Sequence, residues 1–179
     1  MRIIAGIRKG ATIFAPKGRD TRPTSDRVRE NLFNIVAPWV EGARVLDLYA
    51  GSGAMGLEAL SRGAESAVLV EADQSAVRAI ERNLDKLRLT GATVLPLEAT
   101  TALAQESAAG RKYDLVLVDP PYAMTNFDSL ARYLPRVLAE DGLLALETSA
   151  RTEPQLPGLA VRTSRAYGST RVTVFEHPS

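Results

Sequence analysis

From Arg44 onward, short apolar runs alternate with longer segments in which apolar residues recur every three or four positions. "RVLDLYA" precedes "AMGLEALSRG", "SAVLVEA" precedes "QSAVRAIERNLDKLRL", "ATVLPL" precedes "TTALAQESAAG", "YDLVLVD" precedes "FDSLARYLPRVLAED", and "GLLALETS" follows. Continuous Val/Leu runs between turn residues predict strands buried on both faces, and the alternation with helical segments predicts a parallel sheet covered by helices on each side. In "QSAVRAIERNLDKLRL", Ala76, Ile80, Leu84 and Leu87 share one helical face, with Arg78, Glu81, Arg82, Asp85 and Lys86 between them, so that stripe is core. The final runs, "LAVRTSRAY" and "TRVTVFEH", are separated only by Gly168 and Ser169 and must pair antiparallel. Five strand-helix units closed by this hairpin predict a seven-stranded mixed sheet.

Residues 1–40 have a different character. "RIIAGIRKGATIFAP" predicts a small hairpin turning near Gly10. "TSDRVRENLFNIVAPWV" predicts a helix capped by Thr24 or Ser25, with Val28, Leu32, Ile35, Val36 and Trp39 on one face and Pro38 near its end. This extension is expected to pack on a single globular unit at 41–179 rather than to stand alone.

Charge sharpens that division. Residues 1–30 carry eight basic and three acidic side chains, net +5, in a 179-residue chain whose total is +1. A basic segment on a slightly acidic body suggests a polyanionic partner, most simply nucleic acid, against the alternative of a solvated surface. The chain has no cysteine and one histidine, His177. Disulfides, thiol catalysis and cysteine-held zinc or iron are thereby excluded, and a His-based triad or metal site is not expected. No run is long enough to cross a bilayer and the start lacks the apolar stretch of a signal peptide, so a cytoplasmic protein without metal or membrane is expected, with a monomer as the simplest state.

"LDLYAGSGAMGLEAL" spaces Gly51, Gly53 and Gly56 as G-x-G-x-x-G between a strand and a helix. Such glycines let backbone approach a ligand at a helix N-terminus, although they also serve simply to turn a chain. Glu71 ends the next strand 20 residues after Gly51, where a carboxylate can accept both hydroxyls of a ribose. A nucleoside-containing cofactor follows, and NAD and S-adenosylmethionine both qualify. Asp47, four residues before the first glycine, separates them: it would repel a pyrophosphate and attract the ammonium of a methionine moiety. A loop-fixing hydrogen bond is the alternative role for Asp47. In "LEAT", the Glu98 carboxylate could accept from an adenine amine while the Ala99 amide donates to a ring nitrogen.

"DPPY" ends the fourth strand, beside the glycine loop if the sheet is doubly wound. Asp119 would face the reactive end of the cofactor. Pro120 and Pro121 fix φ and contribute carbonyls without donors. The Asp119 carboxylate and one proline carbonyl form an acceptor pair suited to the two hydrogens of an exocyclic amine, with Tyr122 as an aromatic face for stacking a base. A strand terminator with Tyr122 as rim packing is the bland alternative.

These residues together resemble the bacterial 16S ribosomal RNA guanine-N2 methyltransferases of the RsmD type. The resemblance runs through "RIIAG", "TRPTSDRVRENLFNI", "VLDLYAGSGAMGLEALSRGA", "VE" at 70–71, "DPPY" and "YGST". It implies a Rossmann-like class I S-adenosylmethionine-dependent methyltransferase fold and methylation of one guanine of 16S RNA, on the small subunit or an assembly intermediate. By it, Asp47, Gly51, Ser52, Gly53, Glu71, Ala72, Glu98, Ala99 and Asp119 fall to S-adenosylmethionine, and Asp119, Pro120, Pro121 and Tyr122 to the target base. Arg8, Lys9, Arg22, Thr24, Arg27, Arg29 and Asn31 would contact RNA or close the site. The competing functions are a nucleotide-dependent oxidoreductase on the same sheet, methylation of another amine (adenine N6, cytosine N4 or protein glutamine), and a non-catalytic RNA-binding assembly factor.

Overall fold

A computed structural model describes residues 1–16 and 25–179. Arg22 and Thr24 lie outside the described residues. The strands are β1 (Arg44–Leu48), β2 (Ser66–Val70), β3 (Ala92–Leu95), β4 (Tyr113–Val118), β5 (Leu138–Ser149), β6 (Ala160–Tyr167) and β7 (Thr170–Glu176). Helices α1 (Ser25–Val36), α2 (Ala54–Ser61), α3 (Gln74–Leu87), α4 (Ala99–Ala108), α5 (Asp128–Ala131) and α6 (Leu134–Val137) lie between them. The seven strands form one sheet in the order β3-β2-β1-β4-β5-β7-β6. The first five are parallel, and β7 runs antiparallel between β5 and β6.

Strand alternation divides the core between the two faces. Leu115 and Leu117 of β4 pack with Val45, Phe33 and Ala59, while Val116 and Val118 pack with Leu46, Leu48, Leu103 and Phe175. Both faces are covered, which is why Leu115–Val118 of β4 and Leu143–Leu146 of β5 read as unbroken apolar runs.

One expectation is corrected. Residues 127–141 do not form one helix: α5 and α6 are single turns, and Leu138 already begins β5. Pro135 sits in the first turn of α6. It has no amide to continue a helix from α5. Residues 1–13 do pair as a small antiparallel hairpin: Arg2 and Thr12 form a bridge, the Ile3 amide donates to the Ala11 carbonyl at 2.9 Å, the Ile13 amide to the Met1 carbonyl at 3.0 Å, and the Gly10 amide to the Ile3 carbonyl at 2.8 Å. The connection between the arms is held by α2: Ile4 and Ala5 donate to the Glu58 carboxylate, Ile7 to the Ser61 carbonyl and Arg8 to the Ser61 hydroxyl. Ile3 and Ile13 are buried with Ala54, Leu57 and Leu87, so the N-terminal segment docks on α2 and α3.

Candidate active site

The sheet reverses direction of winding between β1 and β4, and ligands of open α/β sheets collect at the strand carboxyl ends there. Register brings the relevant residues to one level. Leu48 stands opposite both Val70 and Val118, so the chain leaves β1, β2 and β4 side by side at Tyr49, Glu71 and Asp119. Asp47 lies opposite Leu69 and Leu117, two positions back, and the period of two gives Asp47, Glu71 and Asp119 the same facing.

The glycine loop is fixed by these acids. The Gly51 amide donates to Glu71 Oε1 at 2.8 Å, and the Asp73 amide to Glu71 Oε2 at 2.9 Å. The Gly56 amide donates to Asp47 Oδ2 at 2.9 Å. Gly53 closes a turn on Ala50 and adopts φ +84, a left-handed conformation that glycine tolerates. Gly56 has a different reason to be glycine, since a Cβ there would lie 2.9 Å from Leu69 and 3.2 Å from Asp47 Oδ2.

Asp47 is 1 % exposed. Burial pushes its carboxyl up to about 8; the Gly56 amide pulls it down, and the Asp119 and Glu71 carboxylates push it further up. No ion pair reaches Asp47 or Glu71 among the described residues. Three carboxyl groups converging on a cleft, with Asp47 ionising once a positive group faces it, suit a cation and oppose a pyrophosphate. The loop-fixing role of Asp47 is thus observed, and it leaves a carboxylate whose ionised form calls for a positive ligand.

Past β4, Asp119 is half-buried, Pro120 buried, Pro121 exposed and Tyr122 half-buried. The Pro121 carbonyl accepts the Met124 amide, closing a turn. The Tyr122 hydroxyl lies 2.7 Å from Thr170 Oγ1 at the start of β7. Ala72 is exposed, Ala99 buried, and Glu98 exposed at the N-cap of α4, where its side chain makes no capping hydrogen bond.

Tyr49 escaped the sequence reading. It has φ +58, an outlier for an aromatic residue, at the crest between β1 and the glycine loop. Its hydroxyl lies 3.8 Å from Met124 Sδ. Burial and then the Glu98 carboxylate raise its phenol above the ordinary value. The signal available in the sequence was an aromatic one residue past a buried strand and two before a glycine loop.

The expected RNA-contacting residues divide. Lys9 and Arg27 are exposed and Asn31 is half-buried. Arg8 is half-buried, and its Nε donates to the Leu87 carbonyl at the end of α3, where a cation complements the helix dipole. Arg29 corrects the expectation. It is 3 % exposed, donates to the Arg2 carbonyl and to Asp26 Oδ1 at 3.1 Å, and pairs with the fully buried Glu58 at 3.4 Å. A side chain so enclosed fastens the N-terminal segment and has no face for RNA. Glu58 and Asn83, both buried, were missed; each is a polar residue interrupting an apolar helical face, and that interruption was the signal.

A groove of about 1240 Å³ opens at the opposite end of the sheet, beside Arg44, Lys112, Glu140, Arg162 and His177. Its arginines are paired locally, Arg44 with Asp114 and Arg162 with Glu176. The chemistry described above lies at the other end of β1 and β4. No described helix is long and apolar enough to cross a membrane.

Fold and site together define a methyltransferase of the Rossmann-like class I type. The profile of the family described as "Conserved hypothetical protein 95" matches residues 1–176, and the chain belongs to that family, the RsmD family anticipated from its motifs. The chain is 37% identical to the Bacillus subtilis protein named "Putative rRNA methyltransferase YlbH", covering 98% of each. It is 39% identical to "Ribosomal RNA small subunit methyltransferase D" of Escherichia coli strain K12, over 87% of this chain and 75% of the relative. Among solved structures, "Putative methyltransferase yhhF from Escherichia coli" superposes with a TM-score of 0.87 at 35% identity, covering 100% of this chain and 98% of the other. The Thermus thermophilus 16S rRNA N2 G1207 methyltransferase, solved with AdoMet and guanosine, shares the fold at 22% identity and a TM-score of 0.73, over 90% of this chain and 45% of that one.

Proposed function

We propose that the chain methylates the exocyclic N2 amine of a guanine in 16S ribosomal RNA, on the small subunit or an assembly intermediate, with S-adenosylmethionine as cofactor. The observation that carries the reading is the convergence of Asp47, Glu71 and Asp119 at the β1/β4 crevice, immediately beside the DPPY turn. The names of the relatives, rRNA methyltransferases acting on the small subunit in the Escherichia coli case, supply the substrate class.

The residues fit the cofactor. Asp47, buried and pushed up to about 8, gains by facing an ammonium group. Glu71, already holding the Gly51 and Asp73 amides, keeps lone pairs for ribose hydroxyls. Ser52, Gly53 and Ala72 line the approach, and Glu98 with the Ala99 amide is assigned to adenine. S-adenosylmethionine supplies a methyl already activated by its sulfonium.

The protein's task is then alignment. The lone pair of a guanine N2 is delocalised into the ring. The Asp119 carboxylate and the Pro120 carbonyl accept its two hydrogens and free the lone pair along one direction; the Pro121 carbonyl is occupied by Met124. Asp119 is placed to take the proton that the nitrogen gives up once methylated. Tyr122 stacks the extruded base while Thr170 holds its hydroxyl. Lys9 and Arg27 contact phosphate, with Arg22, Thr24 and Asn31 assigned to the same role. The protein acts as a cytoplasmic monomer in which residues 1–40 form part of one globular unit.

The test supplies labelled S-adenosylmethionine with small subunits, naked 16S RNA, DNA and bulk protein as separate acceptors. Label is expected in RNA as N2-methylguanine, and Asp119→Ala is expected to abolish it while cofactor binding survives. Label in adenine, cytosine or protein would overturn the substrate, and binding of NAD(H) alone would overturn the cofactor.

A further inference from the structure

Asn83 is the one polar residue on the buried side of α3, at 0 % exposure, and its amide joins two distant segments. Its Nδ2 donates one hydrogen to the Phe14 carbonyl at 3.0 Å and the other to the Ser52 carbonyl at 2.9 Å. Its Oδ1 accepts the Phe14 amide at 2.7 Å. The orientation of the side-chain amide is forced, because the Phe14 amide can only donate and the two carbonyls can only accept. Asn83 therefore pairs with Phe14 as a neighbouring strand would, and with its remaining hydrogen grips the middle of the glycine loop. Met1 Sδ, 3.9 Å from Ser52 Oγ, adds a second contact between the same two segments.

We propose that Asn83 is a positioning residue that couples the cofactor loop to the N-terminal segment, so that cofactor binding and RNA binding strengthen each other. Asn83 is itself fully buried and has no water to replace a lost partner, so its bonds to Ser52 and Phe14 make the loop and the segment keep their geometry together or lose it together. The segment carries Lys9, whose exposed charge is assigned to RNA, and Arg8, locked to the end of α3. A ligand that fixes Gly51–Gly53 fixes the Ser52 carbonyl, hence Asn83, hence Phe14 and the strand bridge of Arg2 with Thr12. Linkage makes the effect reciprocal: whatever factor the cofactor adds to RNA affinity, RNA adds to cofactor affinity.

The inference rests on the proposed cofactor and RNA, and two measurements separate its failure from theirs. In the first, hydrogen exchange of the intact protein is followed with and without S-adenosylhomocysteine. Slower exchange at both Gly51–Gly53 and the Phe14 amide is expected. Protection at the loop with no change at Phe14 would overturn the coupling and leave the cofactor assignment standing, whereas absence of any binding would overturn the cofactor assignment and the coupling with it. In the second, the affinity for S-adenosylhomocysteine is titrated with and without 16S RNA, for the native chain and for Asn83→Ser and Asn83→Asp. The native chain is expected to gain about 5-fold or more in cofactor affinity when RNA is bound, and both variants to fall to about 1-fold while each ligand still binds alone. Variants that bind each ligand more weakly but keep the native coupling factor would reduce Asn83 to a fold-stabilising residue and sink the proposal; Asn83→Asp, which retains the acceptor for Phe14, covers the case in which Asn83→Ser does not fold.

Discussion

The Asp47 carboxylate accepts the Gly56 amide at 2.9 Å, so an acid in the middle of the sheet holds the first turn of α2. Burial, and behind it the Asp119 and Glu71 carboxylates, keep this acid protonated up to about pH 8, against 3.8 for an ordinary aspartate. Between those values the folded chain holds a proton that the unfolded chain has released. Stability must then fall as pH rises through that window, the reverse of a salt-bridged aspartate. Asp47→Asn keeps an acceptor for Gly56 and removes the titration. The variant is expected to melt at a nearly constant temperature between pH 5 and pH 8, where the native chain loses on the order of a few kcal/mol from this group. Binding of S-adenosylmethionine at pH 7 should release a proton from Asp47, read calorimetrically as a dependence of the binding enthalpy on the buffer. Equal enthalpies in all buffers would remove the ammonium from this carboxylate.

The fully buried Glu58 accepts three donors, the amides of Ile4 at 2.8 Å and Ala5 at 3.0 Å and Arg62 Nε at 2.8 Å, and pairs without a hydrogen bond with Arg29 at 3.4 Å. Glu58→Ala leaves two amides and Arg62 without their acceptor and the buried Arg29 guanidinium without its counter-charge. It should lower stability by about 3–5 kcal/mol, measured as a shift of the urea midpoint. Arg27→Ala, an exposed change on α1, should leave the midpoint in place and reduce the salt dependence of RNA binding by about one counterion. A Glu58→Ala midpoint equal to the native one would mean that the docked segment adds nothing to the fold.

Gly6 and Gly10 separate backbone strain from steric contact within that segment. Both have left-handed backbone, φ +87 and φ +84. A Cβ at Gly6 would lie 1.8 Å from the Ser61 carbonyl oxygen, whereas one at Gly10 meets nothing within 4 Å. Gly10→Ala should cost about 1–2 kcal/mol from strain alone. Gly6→Ala should cost more and also unseat the loop, so that the amides of Ile4, Ala5, Ile7 and Arg8 lose protection in hydrogen exchange. Equal effects of the two substitutions would show that contact with α2 does not set the course of the loop.

The parallel sheet was legible because it is buried on both faces, so its strands are largely apolar runs; Asp47 inside β1 and Glu71 just past β2 stood out against them and are the acids assigned to the candidate site. Pro135 was visible inside "FDSLARYLPRVLAED", and it is the residue at which the expected helix gives way to two single turns. The docking of residues 1–14 was not legible, because it depends on Glu58, Ser61 and Asn83, each a single polar residue inside a helix that reads as core. Arg29 shows the same limit from the other side. An arginine beside other arginines reads as surface charge, and only the distant Glu58, placed next to it by the packing of α1 and α2, turns it inward.

Tyr122, to which base stacking is assigned, has its hydroxyl 2.7 Å from Thr170 Oγ1, so the ring is oriented from the hairpin of β6 and β7. Two substitutions distinguish face from tether. Tyr122→Phe keeps the ring and removes the hydrogen bond, which should raise KM for RNA by about 2- to 5-fold, the worth of one hydrogen bond. Tyr122→Ala removes the stacking surface as well and should weaken RNA binding by about 10- to 100-fold. Neither should change the affinity for S-adenosylmethionine. The loss in Tyr122→Ala should persist at high salt, since stacking releases no counterions, while losses at Lys9 and Arg27 should shrink there. If Tyr122→Phe and Tyr122→Ala lose the same amount, the hydroxyl and not the face is what RNA needs, and the base must be held by something other than stacking on Tyr122.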